Sequence, residues 1–351
     1  MPSKKSTPNK AVPARARQKK MQMADIARLS GVSKSTVSRA LAGSALISEE
    51  TRERVREVAS RFKYTINRMA VELRSGTNRA IAVVVPYEDH CRQTFADPFF
   101  HAMIGSLADA LTERGLEMLL TRVPADHIDS IAAIVDGGRA AGVILIGQWR
   151  QHEALNELAA RSVPFVVWGA HLPGQQYCSI GGDNRLGGRL AGEHLVAKGR
   201  TQAIFLGDRE LPEVALRLKG FTEALKAGGA ALGARRIRAT SFLPESGRAA
   251  MQAVLKEGLA VDAIFASSDL LAMAALGVLQ EHGIAVPGEV AVVGYDDVGI
   301  SAHVSPPLTT VRQPIHAGGV ALVDALSRLV AGDTVVDEPM LPTELVVRAS
   351  S

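Results

Sequence analysis

Residues 23–41 read Met-Ala-Asp-Ile-Ala-Arg-Leu-Ser-Gly-Val-Ser-Lys-Ser-Thr-Val-Ser-Arg-Ala-Leu, and residues 47–52 continue Ile-Ser-Glu-Glu-Thr-Arg. The apolar spacing predicts three short helices. Ile26, Ala27 and Leu29 line one side of the first, and Gly31 follows where the chain needs a permissive residue to turn. Ser33 is placed to cap a second helix whose Val37 and Leu41 lie one turn apart on its buried face. Its other face carries Lys34, Ser35, Ser38 and Arg39, with Thr36 among them. Short hydroxyl and basic side chains of this kind suit base edges and phosphates in a major groove. Ser48 then caps a third helix, with Glu49 and Glu50 in its first turn and Val55 and Val58 turned inward.

Charge is distributed to match. Residues 1–78 hold 17 basic and six acidic side chains, while the remainder holds 23 basic and 30 acidic. The chain's modest total of +4 therefore hides a basic head on an acidic body, as expected of a nucleic-acid binder. Residues 1–20 contain seven basic groups, three prolines and no acid, and read as a disordered basic arm. They lack the continuous apolar core of a secretory signal. No run approaches the length of a membrane span. Cys91 and Cys178 are isolated, which indicates neither zinc nor a disulfide framework and fits a reducing cytoplasm.

From Met23 to about Arg74 the sequence closely resembles the DNA-binding headpiece of the lactose/galactose repressor family of bacterial transcription regulators. The resemblance continues through most of the chain, in Asn67-Arg68-Met69-Ala70-Val71-Glu72-Leu73, Asp183-Asn184-Arg185, Val293-Gly294-Tyr295-Asp296-Asp297 and Pro306-Pro307-Leu308-Thr309-Thr310-Val311. It implies a helix-turn-helix domain over 21–65 and a hinge helix and linker over 66–78, followed by a two-lobed effector-binding and dimerisation domain over 79–351. By that resemblance Lys34 and Ser35 choose bases, and Arg39 reaches a guanine or a phosphate. Ser48, Tyr64 and Asn67 anchor the DNA backbone. Leu73 is the hinge wedge that enters the minor groove, with Ala70 on its face and Arg74 beside it. Family members often have proline just before the hinge asparagine, where this chain has Ile66.

The body alternates short apolar runs with helical stretches. Runs at 80–85, 117–121, 142–146, 164–168, 203–206, 263–266 and 290–293 argue parallel sheet buried on both faces. Roughly 270 residues exceed one comfortable core, so two lobes are expected, and the family resemblance implies that each is doubly wound. The resemblance to periplasmic sugar-binding proteins implies three crossovers between them, near residue 183, at 306–314 and around 333–342. A ligand would then bind in the crevice outside the carboxyl ends of the strands.

Asp296 follows a strong strand, and a carboxylate there can accept two sugar hydroxyls. Arg217, read at the start of a helix, matches the family arginine that holds ligand hydroxyls or a carboxylate. Phe242, after a strand expected at 237–241, matches an aromatic that stacks on the ligand, and Ser268 matches a hydroxyl-reading position. Phe99 and Phe100 open the first body helix at the cleft rim. Trp149 and Trp168, the only tryptophans, end strands of one lobe. An Asp–Arg pair flanked by rings suits a carbohydrate. Many family members carry aspartate where this chain has Gly169, which would leave room for a bulkier group such as a disaccharide or aryl glucoside.

Catalysis finds no support. His101, His171, His303 and His316 are scattered, and no phosphate-binding loop or nucleophile elbow is present. Gly-Gly-Arg-Leu-Ala-Gly at 187–192 lies within a helical stretch, the wrong context for a nucleotide loop. The expectation is a cytoplasmic, ligand-controlled repressor without cofactor or metal. It would act as a homodimer on a pseudo-palindromic double-stranded operator and respond to a sugar. The alternatives are a corepressor-dependent regulator sensing a metabolite such as a purine, and a sugar-binding protein with no regulatory role. The chain ends soon after an expected strand at 344–348, with no leucine-repeat helix for tetramers, which favours a dimer.

Overall fold

The computed structural model describes residues 21–64, 78–88, 95–333 and 340–351. The chain divides into two units, Met1–Thr77 and Asn78–Ser351. In the first, α1 (Met23–Ser30), α2 (Lys34–Leu41) and α3 (Glu49–Arg61) enclose a small core of Ile26, Ala27, Val37, Ala40 and Val55. Gly31 ends α1 at φ 66°, a left-handed turn that a side chain would disfavour. Ser33 Oγ accepts the Thr36 amide at 3.1 Å, and Ser48 Oγ accepts that of Thr51 at 3.4 Å, so both expected caps form. Leu29, expected inward, is 41 % exposed. In an eight-residue helix the inward face is narrow, and Ile26, Ala27 and Ser30 fill it.

The second unit holds two sheets. In the first, β1 (Ala80–Tyr87), β2 (Glu117–Pro124), β3 (Gly142–Ile146), β4 (Phe165–Trp168) and β5 (Cys178–Ile180) run parallel in the order β2-β1-β3-β4-β5. Alternate residues point to opposite faces. Val83, Val85, Ile144 and Val166 meet α4 (Pro98–Glu113) and α11 (Ile315–Ala331). Val84, Val143, Leu145 and Val167 meet α5 (Ile131–Asp136) and α6 (His152–Ala160).

The second sheet has the order β11-β10-β9-β8-β6-β7. Its strands are β6 (Ala203–Leu206), β7 (Ile237–Arg238), β8 (Ala263–Ala266), β9 (Ala291–Asp296), β10 (Thr309–Arg312) and β11 (Glu344–Val346), the last antiparallel to β10. Phe205, Phe265 and Tyr295 pack toward α7 (Asn184–Ala197) and α8 (Pro212–Ala227). Ile204, Ile264 and Val292 pack toward α9 (Pro244–Lys256) and α10 (Asp269–Glu281). Both sheets are thus covered on both faces, which is why their strands read as apolar runs. β5 and β10 escaped that reading because each is short and carries polar residues beside a crossover.

Three segments pass between the lobes: Gly181–Asp183 before α7, Gln313-Pro314 before α11, and residues 340–343 before β11. The first and third pair directly, Asp183 N–H to Leu341 O at 3.0 Å and Leu341 N–H to Gly181 O at 2.9 Å. A Cβ on Gly181 would sit 2.2 Å from the Gly169 carbonyl oxygen, so the crossing admits no side chain there.

The glycine run at 187–192 also has a packing purpose. A Cβ on Gly188 would lie 1.9 Å from the Arg217 carbonyl oxygen, and one on Gly220 would lie 1.9 Å from that of Arg185. These glycines let α7 and α8 approach backbone to backbone. Helix propensity alone would make alanine better by about 1 kcal/mol at either position. Backbone collision reverses that sign, so Gly188→Ala should lower the chemical-denaturation midpoint of the body. Gly105→Ala on α4, where a Cβ meets nothing within 4 Å, should leave it unchanged or raise it.

Candidate functional site

On α2 of the headpiece, Lys34, Ser35 and Arg39 are exposed, and Thr36 and Ser38 are half-buried beside them. Ser33 Oγ lies 2.7 Å from Ser35 Oγ and 2.9 Å from Thr36 Oγ1, a cluster of hydroxyls at the start of this helix. Each can turn its proton between a neighbour and an approaching acceptor. Ser48 is exposed at the start of α3. Tyr64 is held by its amide, which donates to Ala59 O at 2.8 Å, and burial raises its hydroxyl pKa. Asn67, Ala70, Leu73 and Arg74 lie outside the described residues.

In the body, Phe99, Phe100, Trp149, Trp168, Arg217, Phe242, Ser268 and Asp296 all border one cavity. Its empty space is about 640 Å³ including the part open to solvent. Phe99 and Phe100 start α4, where Asp97 accepts the Phe99 amide at 2.9 Å and Pro98 fixes the first turn. Their rings meet edge to face at 5.5 Å. Trp168 is the last residue of β4, and Trp149 follows β3 by three residues. Phe242 stands in the loop before α9, since β7 ends at Arg238 rather than running to 241. Arg217 is in the second turn of α8, whose start is Pro212.

Arg217 is the charged centre. Its guanidinium lies 3.7 Å over the Tyr295 ring, donates from Nε to Asn184 Oδ1 at 2.8 Å, and donates from Nη1 to Ser267 O at 2.5 Å. The same Nη1 is 4.0 Å from Asp296 Oδ1. Asp296, 8 % exposed at the end of β9, also accepts Gln313 Nε2 at 2.6 Å. Burial pushes its carboxyl up to about 7, against the pull of Arg217. Asp296 and Asp297 have φ of 112° and 54°, left-handed geometry that non-glycine residues seldom adopt. Strain of that kind at a cavity wall marks a place where side-chain direction matters.

Two neighbours are structural. Ser268 caps α10 by accepting the Leu271 amide at 3.4 Å while also bordering the cavity. Asp269 is buried, accepts Thr310 Oγ1 and the Val298 amide, and ties β9 and β10 to α10. The expectation of extra room beside Gly169 is corrected. A Cβ there would lie 2.7 Å from the Gln148 side chain, which fills the space and exchanges hydrogen bonds with Ala170 N and O at 2.8 and 2.7 Å.

The cavity also includes Asp97, Glu213 and Gln313, which the sequence reading passed over. Glu213 had a signal: it precedes Arg217 by four residues and so shares its helical face. Gln313 had none, since only the crossover geometry brings it to Asp296. Among the described residues, no group of three His, Cys, Asp or Glu side chains could hold a metal ion, and no helix is long and apolar enough to cross a membrane. Cys91 lies outside the described residues.

Comparison with known proteins agrees with both units. The family model for bacterial regulatory proteins of the lacI family matches residues 22–67, and that for a periplasmic binding protein-like domain matches residues 193–351. The HTH-type transcriptional regulator CelR of Thermobifida fusca is 35 % identical over 333 residues, covering 93 % of this chain and 96 % of the relative. A solved CelR–cellobiose complex is similar with a TM-score of 0.71 and 32 % identity, over 94 % of this chain and all of that one. The Lac repressor dimer bound to operator and the anti-inducer ONPF is similar with a TM-score of 0.84 and 26 % identity, over 95 % and 99 % of the two chains. With a reading helix on a basic head and a strand-end cleft in a two-lobed body, the chain belongs to the lacI family of bacterial transcription regulators.

Proposed function

We propose that this regulator is a repressor whose operator affinity is changed by a small carbohydrate held in the cleft. The observation that carries the sugar reading is the convergence of a buried Asp296–Arg217 pair and aromatic rings on one cavity. A sugar's hydroxyls need fixed partners of both kinds, and its C–H faces need rings. The relative solved with cellobiose supports the same class of ligand.

In this reading Lys34 and Ser35 read bases, and Thr36, Ser38 and Arg39 support them from the same helix. Ser48, Tyr64 and Asn67 hold phosphates, while Ala70, Leu73 and Arg74 serve the minor groove. The working unit is a homodimer on pseudo-palindromic DNA, acting in the cytoplasm and catalysing no reaction. Ligand touching both lobes favours one body arrangement over another, and the difference is what DNA binding feels.

Trp149 and Trp168 border the cavity, so ligand entry should change intrinsic fluorescence. Titration with mono- and disaccharides, with purines as controls, should give a saturable change for one sugar class, lost in Asp296→Ala. Saturation by a purine and by no sugar would replace the carbohydrate reading with a nucleobase one.

Protonation gives a second test. The folded carboxyl of Asp296 is raised to about 7 from an ordinary value of 3.8, so the native state holds a proton that the unfolded chain releases. Its contribution to stability is present below the unfolded value and is lost as pH rises toward the folded one. Asp296→Asn should therefore raise the ligand-free Tm relative to the parent, by a margin that grows from pH 4 to about 7 and then levels. Sugar affinity of the parent should fall as pH drops below about 7, because hydroxyls donate best to the ionised carboxylate. A pH-independent Tm difference would contradict the buried-acid account.

A further inference from the structure

We propose that residues 148–150 of the first lobe form a clasp on residues 208–214 of the second. The ion pair within it sets the resting angle between the lobes and makes that angle sensitive to ionic strength. The proposal holds whatever the effector is.

Three consecutive residues reach across. The Gln148 amide donates to Glu213 Oε1 at 3.4 Å. The Trp149 indole joins a cluster with Leu211 and Val214. Arg150 donates from Nη2 to Asp208, while its Nη1 meets Glu88 Oε1 of its own lobe at 2.5 Å. One guanidinium thus ties the residue after β1 to the loop between β6 and α8. Its fork is planar and rigid, so both bonds cannot be kept when one lobe turns against the other.

Both halves of the clasp are anchored before they meet. The Gln148 side chain is fully buried, exchanges hydrogen bonds with Ala170 N and O, and donates to the Tyr177 hydroxyl at 2.9 Å. Trp149 follows at φ 50°, a left-handed conformation that a bulky residue adopts only under constraint. On the other side, Asp208 Oδ1 accepts the Glu210 amide at 3.0 Å and the Asp208 carbonyl accepts the Leu211 amide at 3.1 Å. A surface ion pair contributes little when two mobile chains must be ordered to form it. Here the backbones that carry it are already fixed.

The place of the clasp gives it leverage. The crossing segments follow β5 and β10 and precede β11. In the sheet orders β3 and β1 lie two and three strands from β5, and β6 lies three strands from β10. With strands about 4.8 Å apart, the clasp stands roughly 10–14 Å from the waist, and a turn of about 10° there shifts its halves by roughly 2 Å. That displacement breaks a hydrogen bond and leaves both cores intact. The side chains of Glu88, Asp208 and Arg150 are 15 %, 23 % and 38 % exposed, so dissolved ions reach the pair. Trp149 both borders the cavity and belongs to the clasp, so an occupant touching the indole acts on the clasp directly.

Trp149 is 8 % exposed and becomes the sole indole in a Trp168→Phe background, where its quenching by neutral acrylamide reports opening of the clasp without any effector. In the full chain at low salt, Asp208→Asn should raise the quenching constant by about twofold or more, because only the bond between lobes is lost. Asparagine still accepts the Glu210 amide, and circular dichroism checks that the variant is folded. Glu88→Gln, which cuts the bond within the first lobe, should raise quenching less. Raising NaCl to about 1 M, where the screening length falls to about 3 Å, should bring the background protein to the level of Asp208→Asn and leave that variant unmoved. Unchanged quenching in folded Asp208→Asn would overturn the proposal. So would a salt response that persists in Asp208→Asn, or an effect of Glu88→Gln as large as that of Asp208→Asn.

Discussion

A buried guanidinium must be compensated from several directions, and Arg217 collects its partners from three elements of the second lobe. The start of α7 supplies Asn184, the end of β8 supplies the Ser267 carbonyl, and β9 supplies both the Tyr295 ring and Asp296. An uncompensated buried charge costs several kcal/mol, so these elements are fixed relative to one another wherever Arg217 is fixed. The helix that carries it is itself pressed against α7 through Gly188 and Gly220, with no side chain between the backbones. The Asp296 carboxyl lies 4.0 Å from Arg217, and burial raises its pKa to about 7. A ligand hydroxyl placed between them is attractive because it can bond both groups at once.

That arrangement suits a ligand-responsive regulator. Phe99, Phe100, Trp149 and Trp168 belong to the first lobe, and Arg217, Phe242 and Asp296 to the second, so an occupant of the cavity touches both. The lobes are joined by three crossing segments, two of them paired to each other through Gly181, Asp183 and Leu341. Such a waist permits the lobes to turn about it while keeping their cores intact. Arg150, bonded to Glu88 in its own lobe and to Asp208 in the other, adds a contact that depends on the angle between them. Free energy from ligand contacts is then available to favour one angle.

The parts of this structure legible in the sequence were those with a local physical signature. Gly31 and the Ser33 and Ser48 caps announce the headpiece because turns and helix starts are set by neighbours in sequence. The apolar runs announce the sheets because strands covered on both faces cannot alternate. Asp296, Arg217 and the aromatics were found through family resemblance and their positions relative to strand ends, which is where open α/β sheets gather ligands. What failed needed tertiary information. Leu29 turns outward because the three-helix core is too small to take it. Nothing near Gly169 in the sequence marks Gln148 as the side chain that fills its space. Gln313 reaches Asp296 only because a crossover passes there. Glu213 is the instructive case, since its spacing from Arg217 made it readable in principle.

The central claim is that the cleft and the reading helix are thermodynamically coupled, and linkage makes that directly measurable. A duplex selected from a random pool by the purified protein can be labelled and its affinity measured by anisotropy, with and without the sugar that saturates the tryptophan signal. The account predicts a change in DNA affinity of about 5–150-fold, and an equal change in sugar affinity when saturating duplex is added first. Equal DNA affinity with the cleft empty and filled would contradict it, whatever the sugar proves to be.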